Sequence, residues 1–386
     1  MIKRNPNYLL YKTANAYYLL PYGQPVADHK RGIRINPSGA VLWELLEEKK
    51  QRQELFEDFC VYYEAEDDKR QEMKKDMDGF LALLLSQGIL IEEEEKAVLS
   101  GAISRYFKIG IVCIKMTAPK EAFPEEFSPY ETEACQADLT IDLKVDMLRT
   151  QETGNLLIRN QEIMIFERQE EYLFQFLQSQ QLEEGYLSKD GKYASLWYMP
   201  PCTETLREEV FHAIRFFYLY TAQLRGCFAL HSASVLYDGK AWLFSGYSGA
   251  GKSTHVNLWK KLFDTPVLNG DLNLIGFSEG EAVIYGIPWC GTSGISQSAR
   301  HLLGGIVFLK QAVHNKCVTL ATDRKVIMTA QRLISPMWTK ELYQKNLAFA
   351  EALQEKIAIC RLECTKEDEA AQVMQEWIQE NEKNRQ

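Results

Sequence analysis

No hydrophobic run in the 386-residue sequence approaches the roughly 20 residues needed to span a bilayer. The opening stretch, MIKRNPNYLLYK, has no apolar core of the kind a secretory signal carries. These absences lead to the expectation of a cytoplasmic chain with no membrane partner. Positive charge is also in short supply. Lys and Arg number 44 against 53 Asp and Glu, a net charge of −9, so the basic face of a nucleic-acid binder is not expected. Nine cysteines are present, none in a CxxC pair. Cys360 and Cys364 are spaced CxxxC, but no second pair or nearby histidine completes a zinc set. Reduced thiols in a reducing compartment are the expectation. Internal repeats and low-complexity tracts are absent too. What is present is ordinary for a globular chain, with 46% hydrophobic and 25% charged residues. The length suits two or three domains.

Residues 1–95 read as a small unit. NYLLYKTANAYYLLPYG has the aromatic and aliphatic content of one or two strands. RINPSGAVLWELLEEKK then starts a helix at Pro37 and Ser38, with Val41, Leu42, Leu45 and Leu46 at helical spacing. Two further helices follow, the second ended by Gly88 with a short strand after it, and EEEEK at 92–96 reads as a solvated connector. The second domain is placed at 100–386. Its first part, 100–205, is rich in strands. Its second, 206–386, opens with a long amphipathic helix ending at Gly226 and a hairpin turning at YDGK.

The stretch LFSGYSGAGKSTHVNLW follows that hairpin. Gly246 to Ser253 fits GxxxxGK[ST] at every fixed position, with a strand before it and a helix after it. A loop that wraps a polyphosphate aims several backbone N–H groups inward, which requires positive φ at some positions and no Cβ where oxygens approach. Glycine is therefore wanted at 246, 249 and 251. The expected nucleotide-binding residues are Gly246, Ser248, Gly249, Ala250, Gly251, Lys252, Ser253 and Thr254. The opening amides of the next helix add partial positive charge. Lys252 would reach the β- and γ-phosphates, and Ser253 would offer its hydroxyl to Mg²⁺. The bland alternative is a glycine-rich turn with an incidental lysine.

His231 lies on the strand hairpinned to the one that feeds this loop. Asp271 lies about 20 residues after the loop, on a strand expected beside it, where a carboxylate can hold Mg²⁺ or take a proton. Either residue alone also reads as structural, His231 as a hydrogen-bonded strand histidine and Asp271 as a turn residue after Asn269 and Gly270. In YGIPWCGTSGIS (285–296) four glycines and prolines imply a folded-back loop near the acceptor side, with Cys290 a substrate contact or a buried small hydrophobe. Arg300 reads as a phosphate contact or a surface residue at a helix start, and His255 as a solvated or packing residue.

Taken together, LHSASVLYDGKAWLFSGYSGAGKST and PVLNGDLNLI resemble the nucleotide-binding core shared by bacterial HPr kinase/phosphorylases and ATP-dependent phosphoenolpyruvate carboxykinases. The resemblance is clear over about 230–310. It implies an α+β fold with a mixed, partly antiparallel sheet. It also implies ATP and Mg²⁺ as cofactors, Ser253 and Asp271 at the metal, and Asp271, His231 and Lys252 as catalytic residues. HPr kinases commonly show paired aspartates where this chain has Asn269-Gly270-Asp271. The N-terminal unit, through INPSGAVLWELL and FLALLLSQGILIE, resembles the PqqD-like domain, a small winged-helix-type module. That resemblance implies binding of a leader peptide as an added strand, while Trp43 and its apolar neighbours also read as core. The expected function is an ATP/Mg²⁺-dependent kinase acting on a serine hydroxyl of a peptide or small protein. The alternative is a nucleotide-binding regulator or leader-peptide-binding accessory protein with little turnover. A carboxykinase would need further basic residues for a dicarboxylate, and no convincing set is found.

Overall fold

A computed structural model describes residues 2–13, 16–27, 30–65, 69–92, 102–145 and 154–383. The chain divides into two compact units, Met1–Lys96 and Ala97–Gln386.

In the first unit, strand β1 (Ile2–Arg4) pairs antiparallel with β5 (Leu90–Glu92). Strands β2 (Tyr8–Thr13), β3 (Ala16–Pro21) and β4 (Ile33–Ile35) form an antiparallel sheet in that order. A short helix α1 (Gln24–Ala27) precedes β4. Helix α2 (Pro37–Leu45) starts where the sequence places it, because Asn36 caps it: its Oδ1 accepts from Gly39 N at 2.7 Å, and Pro37 stands where no N–H is needed. At the other end Arg4 donates to the carbonyls of Trp43 (2.7 Å) and Glu44 (2.9 Å), which have no partner within the helix. Helices α3 (Arg52–Tyr62) and α4 (Arg70–Ser86) complete the unit. Trp43 belongs to the core, with Leu19, Leu46, Leu55, Phe59, Leu81 and Leu84.

The second unit holds two large sheets. The first runs β10 (Asn155–Arg159), β11 (Ile163–Glu167), β12 (Glu171–Phe176), β13 (Leu182–Ser188), β14 (Tyr193–Tyr198), β9 (Leu139–Val145), β7 (Val112–Pro119), β6 (Ala102–Ile109) and β8 (Glu131–Thr132). Helix α5 (Glu204–Leu224), capped by Thr203, buries Leu206, Val210, Ile214 and Phe217 in the core that this sheet shares.

The second sheet is mixed. Strand β15 (Phe228–Tyr237) forms the hairpin with β16 (Lys240–Ser245), turning at Asp238 and Gly239, both at positive φ. β15 also pairs with β17 (Val267–Asn269) and β18 (Leu272–Ser278). The order continues through β19 (Glu281–Tyr285), β20 (Arg300–Gln311), β22 (Ala358–Cys364) and β21 (Lys316–Thr319). β20 also pairs parallel with β16, which closes the circuit β16–β15–β18–β19–β20. Helices α6 (Lys252–Phe263) and α9 (Asp368–Lys383) pack in one core beside this sheet, and α8 (Lys340–Lys356) packs in another. Helix α7 (Thr322–Ala330) precedes α8.

Three expectations are corrected. The segment read as one strand around Asp271 is two, β17 and β18. Asp271 sits in the break between them, and β18 lies beside β15 and not beside the loop-feeding β16. Arg300 opens a strand opposite Tyr285, not a helix. Cys113 and Cys135 are disulfide-bonded, so the thiols are not all free. The returning loop is held against β7, because Cys113 N donates to Asp138 Oδ2 (2.8 Å) and Asp138 N donates to Cys113 O (2.8 Å). Among the described residues no helix is long and apolar enough to cross a membrane.

His255 lies on the buried face of α6, only 2% exposed, and its Nε2 accepts from Trp259 Nε1 at 3.1 Å. Burial pushes its pKa down to about 4. Between that value and the ordinary imidazole value near 6.5, the unfolded chain binds more protons than the folded one, so stability rises with pH. Lowering the pH from 7 to 4.5 is expected to remove about 2 kcal/mol. Urea unfolding of this unit followed at both pH values measures it, and His255→Gln is expected to flatten the dependence.

Candidate functional site at the glycine loop

The hairpin register pairs Ser232 with Ser245, so the loop leaves β16 level with His231. Ser245 Oγ donates to His231 O (2.7 Å), tying the two strands where the loop begins. Gly249 and Gly251 have φ of +76° and +101°, the left-handed conformations that the motif needs. Gly246 keeps an ordinary φ and is required for closeness, since a Cβ there would lie 2.7 Å from Ala250 Cβ. Gly251 stands at the N-cap of α6. Ser248, Ser253 and Thr254 are exposed along the loop and the first helical turn, and Gln311 Nε2 donates to Gly249 O (2.9 Å).

Lys252 Nζ lies 2.9 Å from His231 Nε2, and His231 Nδ1 lies 3.2 Å from Asp271 Oδ1. The chemistry fixes the tautomer. An ammonium only donates, so Nε2 accepts and Nδ1 carries the proton that Asp271 receives. Burial lowers the pKa of His231; Lys252 and Arg332 lower it further, against Asp271, which raises it. Burial lowers that of Lys252 as well, with Asp271 opposing and Arg332 adding. The structure therefore brings His231, Lys252 and Asp271 together at the mouth of the loop.

Asp271 is held by residues that motif reading did not single out. Asn269, 2% exposed, accepts at Oδ1 from Asp271 N (2.9 Å) and Leu272 N (3.0 Å). Its Nδ2 donates to Ile287 O (3.2 Å) and Trp289 O (3.3 Å). Ser234 Oγ donates to Asn273 Oδ1 (2.7 Å), and Asn273 Nδ2 donates to Ser232 O and Ser232 Oγ. All four residues are buried. The loop over 286–296 folds onto Asp271, since a Cβ on Gly291 would lie 2.9 Å from Asp271 Cβ. Cys290 in that loop is half-buried, and burial raises its thiol pKa.

Arg332 was also missed. Its carbonyl accepts from His231 N (3.0 Å), and its guanidinium stacks 3.7 Å above the ring of Tyr247, which is 72% exposed in the glycine loop. No local motif marks it, because it reaches the site from the turn after α7.

Residues 26–90 match the family described as Coenzyme PQQ synthesis protein D (PqqD). Among solved structures, the chain is similar to TbiB1 in complex with the TbiA(beta) leader peptide. That likeness has 20% identity, covers 24% of this chain and 99% of that one, and has a TM-score of 0.20. It is also similar to the Hpr(Ser) kinase/phosphatase from Coxiella burnetii, at 10% identity, over 33% of this chain and 91% of that one, with a TM-score of 0.18. No curated protein matches the chain.

The Asn269 contacts call for an amide at this position. A carboxylate could not donate to the carbonyls of Ile287 and Trp289, and its charge would be buried. Asn269→Asp is expected to cost about 3 kcal/mol, read as a lowered urea midpoint. Asn269→Ser is expected to cost less, because it buries no charge.

Proposed function

We propose that the chain is an ATP- and Mg²⁺-dependent phosphotransferase that phosphorylates a hydroxyl group, a serine of a peptide or small protein. The observation that carries this reading is the line Lys252–His231–Asp271 at the mouth of the glycine loop. The residues present fit both cofactors. The loop has its left-handed glycines and exposed helix-start residues. For the metal, Ser253 and Asp271 would be the protein ligands. Mg²⁺ keeps waters and takes phosphate oxygens, so it needs few protein ligands. Mg²⁺, when bound, supplies charge neutralisation on the phosphates.

The protein's own part is positioning and proton handling. Loop amides and Lys252 stabilise charge on the transferring γ-phosphoryl group. As Lys252 turns onto the phosphate, it leaves His231 Nε2 and takes away one cause of that imidazole's low pKa. Nε2 then accepts the proton of the attacking hydroxyl, and Asp271 stabilises the resulting imidazolium through Nδ1–H. The acceptor oxygen forms a bond to phosphorus, the bond to the bridging oxygen breaks, and ADP leaves. Arg332, stacked on Tyr247, is placed to add a second cation beside the phosphates. The N-terminal unit delivers the peptide. The PqqD match supports this, and so does the edge strand β2, which exposes Leu9 (42%) and Tyr11 (52%), as strand addition requires.

Lys252→Ala is expected to lower phosphate transfer to a serine peptide by about a thousandfold or more, given that one preorganised donor is worth roughly 10²–10³ and this one is charged. Transfer of [γ-³²P] phosphate at unchanged rate would rule out the mechanism, and tight ATP binding without any transfer by the wild type would favour an accessory role. The neutral His231 is the active form, so kcat/KM is expected to rise with pH along a limb below the ordinary imidazole value of about 6.5 and to be level by pH 7. A limb above 7 would contradict the assignment.

A further inference from the structure

Both ends of α5 carry a paired arginine. Arg207 Nη1 lies 2.7 Å from Glu125 Oε1, and Arg225, just past the last turn, lies 2.9 Å from Asp138 Oδ1. Arg215, between them, is half-buried, yet among the described residues its guanidinium makes no hydrogen bond or ion pair. It lies over the ring of its neighbour Phe216, at 5.7 Å. A cation drawn partly out of water with no anion bonded to it is costly.

The turn that holds Arg215 packs on the loop over 286–296. Trp289 Nε1 donates to Phe211 O (3.1 Å), and the Trp289 ring lies against those of Phe211 (5.6 Å) and Tyr218 (4.9 Å). Phe211, Arg215 and Tyr218 stand at i, i+4 and i+7, on one stripe of the helix. The same loop closes over Asp271 at Gly291. The carboxylates that act on Arg215 are those of Glu162, in the turn between β10 and β11, and of Asp271. Burial, opposed by both, still lowers its pKa.

We propose that Arg215 binds a carboxylate of the acceptor beside the hydroxyl that receives the phosphoryl group, so that the substrate is an acidic serine peptide. The proposal rests on the phosphotransferase reading above. It gives the cations of the site separate tasks. Lys252 and Arg332 serve the phosphates, and Arg215 stands apart from them. A cavity of about 540 Å³ borders the glycine loop at Gly249, Gly251 and Thr254, with walls from Gln311 and Ala312 after β20 and Cys364 at the end of β22. Arg215, His231 and Asp271 do not line it. Arg215 approaches from the Asp271 side, where the acceptor hydroxyl gives its proton to His231. A planar guanidinium with no bonded partner matches a carboxylate in a bidentate pair.

The test measures transfer of [γ-³²P] phosphate from Mg-ATP by the full chain to paired serine peptides. One member of each pair has Asp, Glu or a free chain-end carboxylate next to the serine, and its twin has Asn, Gln or an amide there. Wild type is expected to use the best acidic peptide with kcat/KM at least about tenfold above its twin, the scale of a hydrogen bond to a charged group. The difference is expected chiefly in KM, and the pair that responds identifies the source of the carboxylate. Arg215→Gln is expected to remove the preference, Arg215→Lys to keep part of it, and Arg215→Glu to shift it toward Lys-flanked peptides. Mg-ATP affinity by calorimetry is expected to stay within about threefold of wild type in all of them, which also shows that they fold. Transfer by wild type without regard to charge in every pair would overturn the proposal, whether or not the variants fold. A preference retained by Arg215→Gln would overturn it too. So would weakened Mg-ATP binding in a variant that still unfolds cooperatively in urea, because Arg215 would then serve the nucleotide. Absence of transfer by wild type to any peptide would overturn the phosphotransferase reading and this proposal with it.

Discussion

His231 is suspended between a cation and an anion, and its place there depends on β15. This strand pairs with β16, β17 and β18. Through β16 it meets the start of the glycine loop, and through β17 and β18 it meets Asp271. The backbone carries part of the arrangement, since Ser232 N donates to Asp271 O (2.9 Å) and Ser245 Oγ to His231 O. The rest falls to the buried set of Ser232, Ser234, Asn269 and Asn273. A buried polar network of this kind is costly if any member lacks a partner and rigid when all have one. Here it fixes the break between β17 and β18, which lets Asp271 leave the ladder and turn toward the histidine.

The electrostatics follow from that geometry. Lys252 and Arg332 approach one carboxylate and one imidazole in a half-buried setting, where charges interact more strongly than in water. A protonated His231 beside two cations would be unfavourable, so it stays neutral and directs its one proton to Asp271. Arg332 is kept near by its backbone bond to His231 and its stack on Tyr247. The same strand that orients the histidine thus anchors the cation that depresses its pKa. The four groups form one unit, and a change at any of them alters the others.

The loop was legible in the sequence because its constraints are local. Gly249 and Gly251 announce positive φ, Lys252 begins the helix, and Asn36 with Pro37 marks a helix start in the same local way. The hairpin at Asp238 and Gly239 was legible for the same reason, and it carried His231 to the loop. Arg332 was not legible, since its turn meets β15 through long-range backbone contacts, the bridge between Leu230 and Leu333 and the bond from His231 N to Arg332 O, about 100 positions apart along the chain. Asn269 and Asn273 look like turn and strand polar residues until burial shows where their amides point. Cys135 meets Cys113 through a loop held by Asp138, a contact that no spacing rule contains. The strand order failed at Asp271 because one apolar run hid a two-residue break.

The sheet's mixture of directions has a consequence for how the site is divided. β16, β20 and β22 run parallel, with Ser245 level with Phe308 and Gln311 level with Cys364. Their C-terminal ends therefore open on one side, and open parallel sheets place ligands at such ends. The loop after β16 and the cavity walls after β20 and β22 all arise there. β15 runs against these strands while β17 and β18 run with them, and together they bring His231 and Asp271 to the same edge. The loop after β16 thus lies beside His231 of β15 and Asp271 at the start of β18. Because β16 is bonded on both sides, to β15 and to β20, the loop between the two flanks is anchored at its root and cannot shift toward one without straining the other.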